Sequence, residues 1–441
     1  MSRAMPQEVR WILSTLNAAG FEAYAVGGCV RDALRRVTPQ DWDLCTSALP
    51  REIETCFPGV KLLETGIRHG TVTLRLQEGQ YEVTTYRADG PYSDGRRPDR
   101  VDFVSDLVQD LARRDFTVNA MAMDLHGQVQ DPFGGQEDLA SGILRCVGDP
   151  DRRFQEDGLR LMRCLRFAAT LGYTIEPQTA GALERNLSML DHVAAERIQT
   201  ELRKLLLGPG YVDVLRSHPT VFCRFWPQLG PLVALEQHNP WHRYGGWEHT
   251  LHALSAARTD LAVRLAVLLH DVGKPACKST DADGIDHFYG HAKVGAQLAE
   301  EMLRTLKFDN ATRERVVLLV ERHDAPIDAT DRSVRRWLGR LGQDAFFQLL
   351  EVKRCDALGQ GHSQVPQRLD HIAQLRDIAQ GVIAQGRCFS LKDLAVTGSD
   401  VLAAGISAGP AVGQALQRLL DQVISGALPN EKEALLRALR D

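Results

Sequence analysis

Apolar and polar positions alternate in short runs over the first third of the chain and recur at helical spacing thereafter. Phe21 to Val26 is an apolar run and predicts a strand. Gly27-Gly28 predicts a tight turn, and Cys29 to Arg36 a short helix with Val30, Ala33 and Leu34 on one side. A turn containing Pro39 returns the chain to a second short strand, Asp41 to Cys45. Gly70 to Leu76 and Gln80 to Arg87 alternate as hairpin strands do, with the turn at Glu78-Gly79. Trp11, Ile12 and Leu16 mark one side of an amphipathic helix near the start. From about residue 141 strand patterns nearly vanish. The pattern therefore predicts an α+β protein: an α/β head over residues 1–140, then an all-helical remainder. The helical remainder is expected to divide into 141–207, 208–370 and 371–441, with breaks near Gly208-Pro209-Gly210, His238-Asn239-Pro240 and Gly359 to Pro366.

With 441 residues, 44% hydrophobic and 25% charged, the chain has ample material for several buried cores. A net charge of −5 excludes a globally basic nucleic-acid binder, so any contact with a polyanion has to come from a local basic patch. The nine cysteines are scattered and include no Cys-x-x-Cys, which points to reduced thiols and a cytoplasmic setting. Met1 to Gly20 has no signal-peptide pattern, and no apolar run reaches the ~18 residues of a membrane span. Neither repeats nor low-complexity segments are present.

The chemistry concentrates in three places. In the first, Asp41 and Asp43 lie two apart on a predicted strand and so project to the same face. Two carboxylates held this close repel unless a divalent cation sits between them, and Mg²⁺ prefers one or two carboxylates with phosphate oxygens. The backbone after Gly27-Gly28 would hold a triphosphate beside it. That combination points to metal-dependent nucleotidyl transfer. Glu82, on the second hairpin strand, is either a third carboxylate or an exposed strand residue. The loop Ala88 to Val101, with Arg96, Arg97 and Arg100, either contacts phosphates or is a solvated turn.

The second place is the pair of basic motifs Arg113-Arg114-Asp115-Phe116-Thr117-Val118-Asn119 and Glu156-Asp157-Gly158-Leu159-Arg160, with Arg163 and Arg166 following. Arginines bind phosphate bidentately, and an Asn at a turn suits a ribose. Asp157 and Arg160 are either an intrahelical ion pair or a donor–acceptor pair that matches the Watson–Crick edge of a base. Phe154 and Phe167 bracket this helix and are expected in the core. The third place is a His/Asp set in the helical part: His249, His270-Asp271 closing an apolar helix, His287, His291, His323 and Asp356. Imidazoles with carboxylates suit Mn, Fe, Ni, Zn or Mg and metal-assisted hydrolysis of a phosphoester.

Taken together, GGCVRD, DWDL, ETGIRHGTVTL, YEVTTYR, YSDGRRPD, RRDFTVNA, DPFGGQEDL, EDGLRLMRCLRF and AAERIQTELRKLL, in this order, make the chain resemble the bacterial CCA-adding tRNA nucleotidyltransferases, class II, over essentially its whole length. The segment with WEHTL, LLHDVGKP, HFYGHAKVG and RCDA resembles an embedded HD-type phosphohydrolase domain. The resemblance implies a polymerase-β-like head, a nucleotide-recognising neck, an HD-containing body and a tRNA-binding tail. It implies addition of C, C and A to tRNA from CTP and ATP, with Mg²⁺ on Asp41 and Asp43. Gly27, Gly28 and Arg31 match the triphosphate turn; Arg113, Asp115 and Asn119 match the ribose and phosphate motif. Asp157 and Arg160 match the protein template for the incoming base, and Glu196, Arg197 and Lys204 match the helix that supports it. The Ala88 to Arg100 loop matches the element used in switching from C to A. His249, His270, Asp271 and Asp356 match the HD ligand set, with His291 and His323 where binuclear sites add ligands. Related products stay open at this point: A addition alone, a poly(A) tail, or hydrolysis of 2′,3′-cyclic nucleotides by the HD site. No membrane is expected, and the protein is expected as a monomer or homodimer.

Overall fold

The computed structural model describes residues 5–63, 66–67, 70–90, 100–238, 243–361 and 364–440. Most of the Ala88 to Arg100 loop, including Arg96 and Arg97, lies outside them, as do parts of the expected breaks at 238–240 and 359–366. The chain divides into two compact units, Met1–Phe225 and Trp226–Asp441.

The first unit is built on strands β1 (Ala23–Val26), β2 (Leu44–Thr46), β3 (Lys61–Leu63), β4 (Thr71–Arg75), β5 (Gln80–Thr85), β8 (Ala122–Met123) and β9 (Val129–Gln130), in the order β3-β4-β5-β2-β1-β8-β9. β6 (Arg87–Asp89) and β7 (Val101–Phe103) form a separate antiparallel ribbon. The expected hairpin is β4–β5, paired from Thr71↔Thr84 to Arg75↔Gln80. Within the sheet only β2 and β5 run parallel, in the register Leu44↔Val83. The pleat sorts side chains cleanly between two cores. Ala25, Leu44, Val72, Leu74 and Val83 pack against Val9, Ile12, Leu13 and Leu16 of the helix Gln7–Ala18. Val26, Cys45, Tyr86 and Ala122 face the other way, toward Leu107 and Leu111 of the helix Leu107–Ala112. Trp11 departs from expectation: it stays 42% exposed, resting edge-on against Phe57 at 5.3 Å. The apolar side of its helix is centred on Ile12 and Leu16, and Trp11 falls at its border.

Three predicted boundaries move. The first strand begins at Ala23 rather than Phe21, and the helix after the glycines runs Gly28–Leu34. The second strand begins at Leu44, so Asp41 and Asp43 lie in its approach rather than within it. The Val26 N–H still bonds the Asp43 carbonyl at 2.9 Å, which continues the strand geometry one step outward.

Among the described residues helices dominate after residue 141, with two exceptions of two residues per strand: Ile143–Leu144 with Thr174–Ile175, and Ser279–Thr280 with Asp286–His287. In the second unit the apolar helix Leu261–Leu269 is capped by Asp260, whose carboxylate accepts from the Val263 N–H at 3.1 Å. The C-terminal part has its own core of Leu394, Val396, Leu419, Leu420, Val423, Ile424 and Leu435. Arg335 reaches over to it, donating to the carbonyls of Val423 and Ile424 at the end of the helix Pro410–Ser425. Among the described residues, no helix is long and apolar enough to cross a membrane.

Candidate active site and metal centre

The approach to β2 keeps the pleat: Asp41 is exposed, Trp42 buried and Asp43 exposed. Trp42 belongs to the core on the Leu44 side, so both aspartates project to the opposite face. The parallel register carries Glu82 opposite Asp43, on that same face, because Leu44 and Val83 pair one step further along. Glu82 is exposed there, next to Thr73 of β4. The Asp43 carboxyl is solvent-facing but crowded by protein. That desolvation raises its pKa, Arg114 opposes the rise, and the like charge of Asp41 adds to it. Asp41 thus places a like charge beside Asp43, which a shared divalent cation would offset.

Gly27 turns the chain between β1 and the helix Gly28–Leu34. Its φ of +83° suits glycine, and a Cβ would stand 3.0 Å from the Arg114 Nη1. Arg31, one turn into that helix, donates to the Asn119 Oδ1 at 2.7 Å and to both oxygens of Asp32. Asn119 in turn donates to the Asp115 Oδ1 at 3.2 Å. Arg163 donates to the Asp115 Oδ2 through Nε at 2.8 Å. Phe167 closes the circuit: its ring lies 5.2 Å from the Arg31 guanidinium, 5.3 Å from Arg163 and 3.5 Å from Arg166. Phe154 and Phe167 are both buried as expected, but Phe167 also serves as a platform for cations. Burial works to raise the Asp115 pKa; Arg163, Asn119 and Arg160 outweigh it and bring it down to about 2.

Arg113 points elsewhere. With Arg114 it grips Asp110, a fully buried carboxylate, at 2.8 and 3.4 Å. Sequence reasoning missed Asp110, although its i,i+3 and i,i+4 spacing to two arginines at the end of a helix was the available signal.

Asp157 and Arg160 do not form the intrahelical pair that their spacing allows. Asp157 precedes the helix Leu159–Leu171 with extended backbone, φ −144° and ψ 107°. Its carboxylate accepts from the Leu159 N–H, the first of that helix, at 3.0 Å and pairs with Arg197 at 3.2 Å. Arg160 pairs with Glu156 at 2.6 Å and donates to the Arg113 carbonyl at 3.0 Å. The two side chains are therefore separately anchored, one to the helix Ala195–Leu207 and the other to the Arg113–Asn119 segment.

The histidines gather in the second unit. His249 and His270 bring their Nε2 atoms within 3.2 Å of each other; the Asp271 Oδ2 stands 3.3 and 3.2 Å from them. The Asp356 Oδ1 is 3.2 Å from the His249 Nε2. On the other side of Asp271, its Oδ1 faces His291 at 3.5 Å and His323 at 3.9 Å, and those two Nε2 atoms are 3.2 Å apart. Asp271 is thus common to two groups of donors, His249–His270–Asp271 and Asp271–His291–His323. His287 is not among them; it bonds Asp281 at 2.7 Å. His270, His291 and His323 each place Nδ1 against a backbone carbonyl, at 2.7 to 2.8 Å, from Val267, Phe288 and Val320. Those carbonyls fix the proton on Nδ1 and leave the Nε2 lone pairs converging, the arrangement of metal-ligating histidines. Burial alone would raise the Asp271 pKa, but His270 and Lys274 hold it well below the usual carboxylate range. Lys274, three residues on and 2.6 Å away, is a further member that the sequence reading passed over.

Residues 23–145 match the poly A polymerase head domain family, 172–217 the RNA- and SrmB-binding site of polymerase A, and 280–439 domain 2 of tRNA nucleotidyltransferases. A CCA-adding enzyme of Limosilactobacillus fermentum is 35% identical over 437 residues, 98% of this chain and 96% of its own. The crystal structure of the Bacillus stearothermophilus CCA-adding enzyme in complex with CTP is 30% identical, with a TM-score of 0.70 over 98% of this chain and 96% of that one. The Thermotoga maritima CCA-adding enzyme complexed with tRNA shares the fold at 18% identity and a TM-score of 0.60, over 99% and 96% of the two chains.

Proposed function

This chain belongs to the CCA-adding enzyme family of tRNA nucleotidyltransferases, and from that premise we propose how its residues divide the work. The reaction is addition of C, C and A to the 3′ end of tRNA, from CTP and ATP, without a nucleic-acid template. The observation that carries the assignment of the reacting site is the common face of Asp41, Asp43 and Glu82, fixed by the parallel β2–β5 register. Asp41 and Asp43, with Glu82 alongside, are the donor set for Mg²⁺, which when bound lowers the pKa of the tRNA 3′-hydroxyl and neutralises the departing pyrophosphate. Gly27, Gly28 and Arg31 hold the triphosphate. Asp115, Asn119 and Arg163 hold Arg31 and the ribose in place, and Arg113 stiffens the segment through Asp110. Asp157 offers acceptors and Arg160 donors to the incoming base. Their separate anchors keep the two groups at fixed separation, as a template requires. The segments 1–140, 141–207, 208–370 and 371–441 serve as head, neck, body and tail. The protein works in the cytoplasm as a monomer or homodimer.

The test is extension of three tRNAs, ending before CCA, after C and after CC, with Mg²⁺ and CTP, ATP or both. Gain of C, C and A followed by arrest supports the reading. Extension only of the CC-ended tRNA by one A would replace it with an A-adding enzyme, and long A tails with a poly(A) polymerase.

The donor groups that share Asp271 favour a second activity in the same chain, metal-assisted hydrolysis of a phosphoester such as a 2′,3′-cyclic nucleotide. His249, His270, Asp271 and Asp356 would hold one divalent ion (Mn, Ni, Fe, Zn or Mg), with His291 and His323 toward a second. Such an ion supplies a water of lowered pKa. Lys274 and the three carbonyl-bound Nδ1 groups keep the donors in position.

A further inference from the structure

The helix Asp331–Leu341 carries Arg332, Arg336 and Arg340, all exposed. Residues four apart are about 6 Å apart along a helix axis and shift by about 40°, so the three guanidinium stems form one oblique row. Among the described residues no carboxylate pairs with any of them. The remaining charges on this helix are already spent on structure: Arg335 bonds the Val423 and Ile424 carbonyls and pairs with Asp331 at 2.8 Å, and Asp331 also pairs with Arg387 at 2.6 Å.

The row runs beside the segment 387–393. Arg335 donates to the Cys388 carbonyl, and a Cβ on Gly339 would collide with the Phe389 carbonyl, so helix and segment touch directly. That segment adds the exposed Lys392, while its Asp393 is bonded within the segment to Ser390. The chain as a whole carries a net charge of −5, so a polyanion gains attraction only where basic groups cluster. The surface between the arginines is Ser333, Gly339 and the half-buried Trp337, which offers little to an apolar partner.

We propose that this arginine row is a track for the phosphate backbone of the tRNA. It rests on the CCA-adding reading for its partner. Arg suits it because its planar fork bonds phosphate oxygens bidentately. The row positions the duplex and reads no bases.

The experiment uses the full chain and a tRNA ending before CCA. Binding is measured from 50 to 200 mM salt for the parent protein, R332Q/R336Q/R340Q and R332K/R336K/R340K. Each phosphate contact contributes ~0.9 to the slope of log K against log salt for a duplex, so the Gln variant should lose about 2 to 3 units of slope. The Lys variant should keep the slope, since it keeps the charge. KM for tRNA should rise in the Gln variant while KM for CTP stays unchanged. An unchanged slope and an unchanged KM for tRNA in the Gln variant overturn the proposal while leaving the enzymatic reading intact. Absence of tRNA extension by the parent protein overturns the enzymatic reading instead.

Discussion

Arg163 holds Asp115 through two nitrogens, Nε at 2.8 Å and an Nη at 2.6 Å from the same Oδ2. The pair joins the helix Leu159–Leu171 to the segment that carries Asn119, and through Asn119 to Arg31. Because the Asp115 carboxyl is depressed to about 2, it binds its proton less readily folded than unfolded. A depressed carboxyl stabilises the fold above the unfolded pKa of ~3.9, and the contribution is lost as pH falls through the folded value. Parent and D115N should therefore differ in urea stability by about 2 kcal/mol at pH 5 and converge between pH 4 and pH 2. A difference that stays constant over that range would contradict the linkage.

Removing the amide of Asn119 deprives Arg31 of its 2.7 Å acceptor. N119A is expected to raise KM for CTP and ATP together, by roughly tenfold, the usual cost of one hydrogen bond to a charged group. A change confined to one of the two nucleotides would assign Asn119 to base selection instead.

D43N keeps the size of the side chain and removes its charge. Transfer should fall by roughly a thousandfold, as expected when a metal-held transition state loses a ligand. tRNA binding should persist. Substantial remaining transfer would sink the metal role.

D157A leaves Arg197 and the start of the helix Leu159–Leu171 without a carboxylate, but leaves Arg160 anchored on Glu156. CTP should lose its preference over UTP by roughly 10- to 100-fold. An unaltered preference would contradict the template assignment.

In the second unit, H270A should lose bound metal by atomic emission and lose hydrolysis of 2′,3′-cyclic nucleotides, while CCA addition stays within about twofold. Metal retained at full stoichiometry would count against the ligand set.

Much of this was legible from the residues. The alternation Asp41, Trp42, Asp43 already placed two carboxylates on one face. Hydrogen bonding starts the strand at Leu44, three residues after the expected Asp41, but the pleat that orients the carboxylates extends past it. The adjacent His270-Asp271 at the end of an apolar run likewise announced a buried polar end. What spacing could not supply were partners distant in sequence. Asp157 and Arg160 look like neighbours on one helix only if Asp157 is itself helical. Extended backbone at Asp157 separates them, and Arg197, forty residues on, takes the place of Arg160. Asp110 was passed over for the opposite reason: its partners are local, but its complete burial follows from the sheet packing above it.

Gly27 acts on charge as well as on shape. A methyl group there would stand 3.0 Å from the Arg114 Nη1, so that nitrogen would have to give by a few tenths of an ångström. Arg114 is the cation that offsets the raised pKa of Asp43. Alanine at 27 would thus act on the carboxylate as a change of ionic environment, though it neither adds nor removes a charge. The absent side chain is, in effect, a spacer that keeps the Arg114 cation in place beside Asp43.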